Sequence, residues 1–235
     1  MLKIKLYQSV PYSCPYIPSN IAHHYTTDPN LLLSAPIYSS LIEMGFRRAG
    51  ERIHRPNCKT CDQCVSLRIP VSQFTPNKSQ RRVINKNQDL TSWVVKSPRH
   101  EDYIDLYEQY ITSKHPESEG MQEAEDTFDN FLFSRWSEAF AIEYREPSNQ
   151  LVCVSICDPV EHGWSAVYTF YDLEYAQRSL GTFSILTQIE LLKDRKLDYL
   201  YLGYWIRDCK KMNYKTNFKP CEGFINEQWV TINDQ

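Results

Sequence analysis

Ala139-Phe140-Ala141-Ile142-Glu143-Tyr144, Leu151-Val152-Cys153-Val154-Ser155-Ile156-Cys157 and Ser165-Ala166-Val167-Tyr168-Thr169-Phe170-Tyr171 follow one another as short runs rich in β-branched and aromatic residues. Side chains of that kind suit a pleated surface, and the runs stand at hairpin spacing. Next come a helical segment from about Thr182 to Arg195 and another strand-like run, Tyr199-Leu200-Tyr201-Leu202-Gly203-Tyr204. Strands, a helix and a further strand predict an α+β domain on a mostly antiparallel sheet with flanking helices.

Upstream, Tyr103, Leu106, Tyr107 and Tyr110 recur at the i, i+3, i+4, i+7 spacing of an amphipathic helix. A second helix is expected from Phe128 to Trp136, with Thr127 as its cap. The first ninety residues read differently. Pro11, Pro15, Pro18, Pro29, Pro36, Pro56, Pro70 and Pro76 cut them into segments too short for long helices. One short helix is expected at Tyr38 to Phe46 and one strand at Val65 to Val71. The chain is therefore divided into a small Cys-containing N-terminal domain, 1–90, and a catalytic domain, 91–235.

With 235 residues, 42% hydrophobic and 23% charged, the chain can bury a core and has the composition of a globular protein. No run of about 18 apolar residues predicts a membrane span, and Met1 to Tyr7 alternates apolar and basic residues, unlike a secretory signal. A soluble, cytoplasmic protein is expected, its eight cysteines thiols or metal ligands.

The formal net charge of −3 hides a segregated distribution. Lys78, Arg81, Arg82 and Lys86 form one basic cluster, and Arg207, Lys210, Lys211, Lys215 and Lys219 another, while Glu117, Glu119, Glu123, Glu125, Asp126 and Asp129 form an acidic stretch. Local basic faces can bind phosphate on an acidic chain.

Four motifs carry chemistry. Cys58-Lys59-Thr60-Cys61-Asp62-Gln63-Cys64 is a C-x2-C-x2-C run. With Cys14 as a distant fourth ligand, or His54, His23 or His24 in its place, it suits tetrahedral Zn²⁺ or an iron-sulfur cluster; partly buried free thiols are the alternative. Asn77-Lys78-Ser79-Gln80-Arg81-Arg82-Val83 can grip phosphates or a substrate carboxylate, or can be a solvated helix face. Arg178-Ser179-Leu180-Gly181-Thr182-Phe183 lies between a strand and a helix, where acetyltransferases of the GNAT class carry R-x-x-G-x-G/A to hold a pyrophosphate. Phe183 replaces the small last residue, which points to a GNAT-like frame with another acyl donor. The aromatic sets Tyr168 to Tyr171 and Tyr199 to Trp205 can stack on a terminal adenine or line an apolar pocket, though most of them are expected in the core. Neither G-x-S-x-G nor a P-loop is present, so neither acyl-enzyme chemistry nor ATP hydrolysis is signalled.

In this order, Cys14-Pro15-Tyr16-Ile17-Pro18, Met44-Gly45-Phe46-Arg47-Arg48-Ala49-Gly50, the Cys58 to Cys64 run, Pro76 to Arg82, Tyr168 to Tyr171, Arg178 to Thr182 and Tyr201-Leu202-Gly203-Tyr204-Trp205 span nearly the whole chain. Together they resemble the bacterial branch of the arginyl-tRNA-protein transferase family, the aspartate/glutamate leucyltransferases. Ile17 departs from the eukaryotic members, which carry a second cysteine there. The resemblance implies a GNAT-like C-terminal fold and an enzyme that moves leucine from Leu-tRNA to the N-terminal Asp or Glu of proteins, marking them for N-degron degradation. Its partners would be charged tRNA and the acceptor protein, with no membrane.

The chemistry would need no cofactor beyond a structural Zn or iron-sulfur cluster at Cys14, Cys58, Cys61 and Cys64. The donor ester is already activated, so proximity, a modest base and an oxyanion site suffice. The backbone at Gly181 or the Tyr168 phenol are candidate oxyanion donors. Asp172 is the candidate base, with capping of the following turn as its other role. Lys78, Arg81, Arg82, Arg178, Ser179, Tyr201, Tyr204 and Trp205 are candidate contacts to tRNA or acceptor. Two other readings are carried: an acyl-CoA-dependent N-acyltransferase, and a non-catalytic tRNA-binding module.

Overall fold

The structure, a computed structural model, describes residues 3–96, 98, 101, 103–114, 128 and 132–233. The first part of the chain builds β1 (Leu6–Gln8), β2 (Tyr12–Ser13), β3 (Ile21–Ala22) and β4 (His24–Thr27), then helix α1 (Ala35–Glu43), then β5 (Arg47–Ala49) and β6 (Arg52–Pro56). Strands β1, β4, β6 and β5 pair in that order as an antiparallel sheet, and β2 and β3 form a separate pair. Helix α1 starts earlier than Tyr38 because Pro36 sits in its first turn, where a missing N–H costs nothing. Gly45, at φ +78, ends it.

The second sheet has eight strands. Along the chain come β7 (Val65–Pro70), α2 (Lys78–Lys86), β8 (Thr91–Val95), α3 (Ile104–Lys114), β9 (Phe140–Arg145), β10 (Leu151–Val160), β11 (Gly163–Tyr171), α4 (Leu180–Asp194), β12 (Tyr199–Trp205), β13 (Glu222–Ile225) and β14 (Gln228–Thr231). The spatial order is β14-β13-β7-β12-β11-β10-β9-β8, and among the described residues β11 with β12 is its one parallel pair. The α+β class, the mostly antiparallel sheet and its flanking helices match the expectation from the sequence. Strand β7 comes from within residues 1–90 yet lies between β13 and β12. The two sheets therefore do not separate along the sequence at residue 90.

Both faces of the large sheet are buried at its central strands, which is why these read as nearly continuous apolar runs. Alternation divides the residues between faces. Ile142, Tyr144, Val152, Leu200 and Leu202 pack with Leu180, Ile185, Ile189 and Leu192 of α4. Ala141, Val154, Ile156, Val167 and Phe170 pack with Tyr103, Tyr107 and Phe128. Arg48 joins the two sheets: its Nε and Nη2 donate to Asp158 of β10 at 2.7 and 2.9 Å, with both side chains fully buried.

Of the helix expected over Phe128 to Trp136, residues 128 and 132 are helical and 133–139 are not. Thr127 and the acidic residues Glu117, Glu119, Glu123, Glu125, Asp126 and Asp129 lie outside the described residues.

Candidate active site

Strands β11 and β12 pair through Gly163, Trp164 and Ser165 against Tyr199, Leu200 and Tyr201, and there the parallel ladder stops. Arg47 of β5 takes over beyond that point. Its Nη2 donates to the carbonyls of Ala166 and Val167 at 2.8 and 2.9 Å, satisfying backbone acceptors that the ladder leaves open. On the β12 side the register shifts between Tyr201 and Gly203. Gly203 has φ +73, and a Cβ there would stand 1.4 Å from Arg47 Nη1. Only glycine fits, both for the backbone and for the guanidinium beside it. Arg47 Nη1 is buried and, among the described residues, has no hydrogen-bond partner.

The charge of Arg47 bears on Tyr16, His54, Tyr204, Tyr214 and Lys215. Lys215 is buried in a 3-10 turn, Asn213–Asn217, and its Nζ donates to the carbonyl of Tyr204 at 2.8 Å. Burial first, and Arg47 second, push the Lys215 ammonium well below its ordinary range. Tyr204 donates its hydroxyl to the carbonyl of His54 at 2.9 Å. Further along β11 the rings gather: Tyr168 lies 6.2 Å from Tyr107 and 6.4 Å from Tyr110, and Tyr110 lies 5.0 Å from Tyr171. Burial raises the Tyr168 and Tyr110 phenols, so they stay protonated and can donate. The result is a largely buried cluster of basic and tyrosine side chains where two parallel strands part, with Arg47 and Gly203 lining a void of about 10 Å³.

Two family models together match most of the chain: "Arginine-tRNA-protein transferase, N terminus" over residues 12–82 and "Arginine-tRNA-protein transferase, C terminus" over residues 102–225. Proteins named aspartate/glutamate leucyltransferase are similar along its full length. That of Pseudomonas putida (strain W619) is 41% identical over 233 residues and that of Pseudomonas entomophila (strain L48) 42%, each match covering 99% of both chains. That of Saccharophagus degradans is 41% identical over 230 residues, covering 98% of both. This chain belongs to the arginine-tRNA-protein transferase family. Two solved structures also overlay in part. L-PGS from Bacillus licheniformis does so with a TM-score of 0.45 and 13% identity, over 61% of this chain and 47% of that one. The C-terminal domain of a putative lysylphosphatidylglycerol synthetase from Agrobacterium fabrum does so with a TM-score of 0.45 and 12% identity, over 61% and 46%.

The transferase brings some of the expected site residues to this cluster and holds others elsewhere. Tyr168 and Tyr204 belong to the cluster. Trp205 ends β12 half-buried against the core, its indole Nε1 buried without a partner among the described residues. Tyr201 packs in the core and also lines the void beside Arg47 and Gly203; its hydroxyl donates to Glu43, and Arg68 pairs with that carboxylate at 2.8 Å and with Glu222 at 2.7 Å. Arg178 is an internal clamp. Its Nε donates to Asn87 at 2.9 Å and its guanidinium pairs with Asp89 and, at 3.6 Å, with Glu146, tying the end of α2 to the start of α4. Ser179 takes the left-handed conformation at φ 57 and turns the chain into α4. Gly181 lies in the first turn of α4, and a Cβ there would meet no more than the Tyr171 ring at 3.9 Å. Asp172 caps the turn after β11, accepting from Glu174 N at 2.9 Å, the second of its two expected roles. Phe183 turns toward the core, its ring 5.7 Å from Tyr144. Its size is thus absorbed by packing, and it does not speak against a pyrophosphate.

Lys78, Arg81 and Arg82 stand exposed on the outer face of α2. Cys14, Cys58, Cys61 and Cys64 do come together, lining one cavity of about 50 Å³ with Tyr16, Ile17 and Ile206. Backbone N–H groups of Ile17 and His23 point at Cys14 Sγ and Cys58 Sγ at 3.4 and 3.5 Å. Burial, then the neighbouring cysteines, push Cys64 up to about 12. Four cysteines around one cavity, whose thiolates would repel one another without a counter-charge, are a donor set suited to a cation. Among the described residues, however, no three or more His, Cys, Asp or Glu side chains converge as ligands.

Arg47 and Lys215 are the members of this cluster that sequence reasoning did not single out. Arg47 is in a stretch shared with the family, but no spacing rule places a β5 side chain between two strands more than a hundred residues away. Lys215 reads as one more member of a surface cluster.

Proposed function

We propose that this transferase moves leucine from Leu-tRNA to the N-terminal Asp or Glu of an acceptor protein, tagging it for N-degron degradation in the cytoplasm. The observation that carries the reading is full-length similarity, at 41–42% identity, to proteins named for that reaction. The residues gathered where β11 and β12 part would form the reaction centre of a GNAT-like frame. A peptide α-amino group, with a free pKa of roughly 7.7 to 8.0, is substantially neutral near pH 7.5 and attacks the ester carbonyl directly. The Tyr168 phenol and the backbone N–H at Gly181 are the candidate oxyanion donors. Lys78, Arg81 and Arg82, exposed on α2, would meet tRNA phosphates. Transfer of radiolabelled leucine from Leu-tRNA to peptides beginning with Asp or Glu tests the reading. Equal or better turnover with Arg-tRNA, or transfer from acyl-CoA, would overturn it.

Cys14, Cys58, Cys61 and Cys64 fit a structural Zn²⁺ or iron-sulfur cluster in donor type and in their shared cavity, with side-chain rotation needed to close on the ion. Protein purified without chelator should carry about one equivalent of Zn, or stoichiometric iron and sulfide. Metal-free protein of full stability and activity would assign them as buried thiols.

A further inference from the structure

The described arginines with buried or half-buried guanidinium groups mostly sit against carboxylates. Arg48 has Asp158, Arg68 has Glu43 and Glu222, Arg145 has Glu143, Arg178 has Asp89 and Glu146, and Arg55 has Glu227. Arg47 breaks the pattern, with two backbone carbonyls on Nη2 and nothing on buried Nη1. Its neighbour Lys215 is a second buried basic group, and it too donates to a carbonyl, that of Tyr204. Among the described residues no carboxylate bonds to either. Arg47 is thus a fixed charge held without an anion beside a buried lysine whose hold on its proton is weakened, an arrangement that an arriving negative group would stabilise.

We propose that the acidic side chain of the acceptor's first residue docks its carboxylate against Lys215, with Arg47 behind it as a fixed second charge. The inference rests on the leucyl-transfer reading and supplies the specificity determinant of the same cluster. The other participants do not fit this anion site. The donor's leucyl group is apolar and its amino group cationic, while tRNA phosphates have exposed cations to meet on α2. Asp and Glu differ from Asn and Gln by a charge at nearly constant shape, so reading them calls for a cation and not for a new contour. Lys215 itself is 7% exposed, and Tyr214, the residue before it, 40%. Burial and Arg47 weaken the hold of the free Lys215 amine on its proton, and a bound carboxylate would strengthen it, coupling the charge of the site to its occupancy.

The test measures leucine transfer to peptides that differ only in an N-terminal Glu or Gln, together with Leu-tRNA binding. Lys215→Met should lower kcat/KM for the Glu peptide about 10- to 100-fold, mainly through KM, and bring the Glu-over-Gln preference close to unity. Binding of Leu-tRNA should not change, and Lys215→Arg should restore the preference. Retained discrimination in Lys215→Met would overturn the proposal, as would weakened Leu-tRNA binding with discrimination intact, which would make the anion a phosphate. Wild-type protein gives an arm independent of folding defects: reductive methylation at neutral pH read by mass spectrometry. The Glu peptide should protect Lys215 and the Gln peptide should not; equal labelling in both would also overturn the proposal. Absence of any transfer from Leu-tRNA by the wild type, with protection by the Glu peptide intact, would sink the leucyl-transfer reading and leave the anion site standing.

Discussion

Gly203 carries two demands at once, a left-handed φ of +73 and empty space where Arg47 Nη1 lies. Alanine would meet both penalties: strain at positive φ, and displacement of a guanidinium that holds two β11 carbonyls. Gly203→Ala should cost about 2–4 kcal/mol in urea denaturation, more than the roughly 1 kcal/mol of an ordinary Gly-to-Ala misfit. A midpoint close to wild type would mean that Arg47 can leave without consequence. His54 makes a second case at this scale. Burial, then the charges of His24 and Arg47, hold its imidazole down at about 4, against 6.5 in the unfolded chain. The unfolded state therefore binds more protons between those values, so the contribution is fully present above about pH 6.5 and is lost as pH falls toward 4. His54→Gln should flatten the decline of stability over that window by about 1–3 kcal/mol in total. Identical pH profiles of the two proteins, measured by thermal melting, would remove His54 from the acid response.

At the scale of elements, α2 shows what a local sequence can and cannot say. Asn77-Lys78-Ser79-Gln80 closes a capping box, Gln80 N donating to Asn77 Oδ1 and Asn77 N to Gln80 Oε1, both at 2.9 Å. Val83 and Ile84 face the core and Lys78, Arg81 and Arg82 face outward. The central strands and α4 were legible for the same reason, since apolar period follows directly from which faces are covered. Arg178 was not: a cation that grips a ligand and one clamped by Asp89 and Glu146 look alike in sequence, because the partners arrive from other elements. The exposed face of α2 leads to a prediction about tRNA. Arg82→Ala and Arg81→Ala should each lower kcat/KM about 5- to 150-fold, the equivalent of roughly 1–3 kcal/mol, and should make the salt dependence of tRNA binding shallower. Unchanged kinetics and salt slope in both would return α2 to a solvated surface and put the phosphate contacts elsewhere.

For the molecule as a whole, the decisive contacts join segments that no periodicity connects. Strand β7 reaches the middle of the large sheet by pairing with β12, and Tyr38 of α1 donates to Ser165 of β11 at 3.1 Å. The strongest of these joints is Arg48 with Asp158, two hydrogen bonds between fully buried groups, with Arg48 also donating to the carbonyl of Leu132 at 2.8 Å. Removing one partner strands the other charge in the interior. Asp158→Ala or Arg48→Met should each cost about 3–5 kcal/mol, read as a lowered midpoint in thermal or chemical unfolding. The double variant Arg48→Met with Asp158→Leu should recover most of that loss, because a buried ion pair replaced by packed apolar groups is often close to neutral. Activity should behave differently. Arg47 and Arg48 are successive residues of β5, so the joint that anchors the small sheet also fixes the guanidinium between β11 and β12. If the pair serves to place Arg47, the double variant will regain stability without regaining leucine transfer. Recovery of both would show that packing alone positions β5, and that the charge of Arg48 matters only for holding the sheets together.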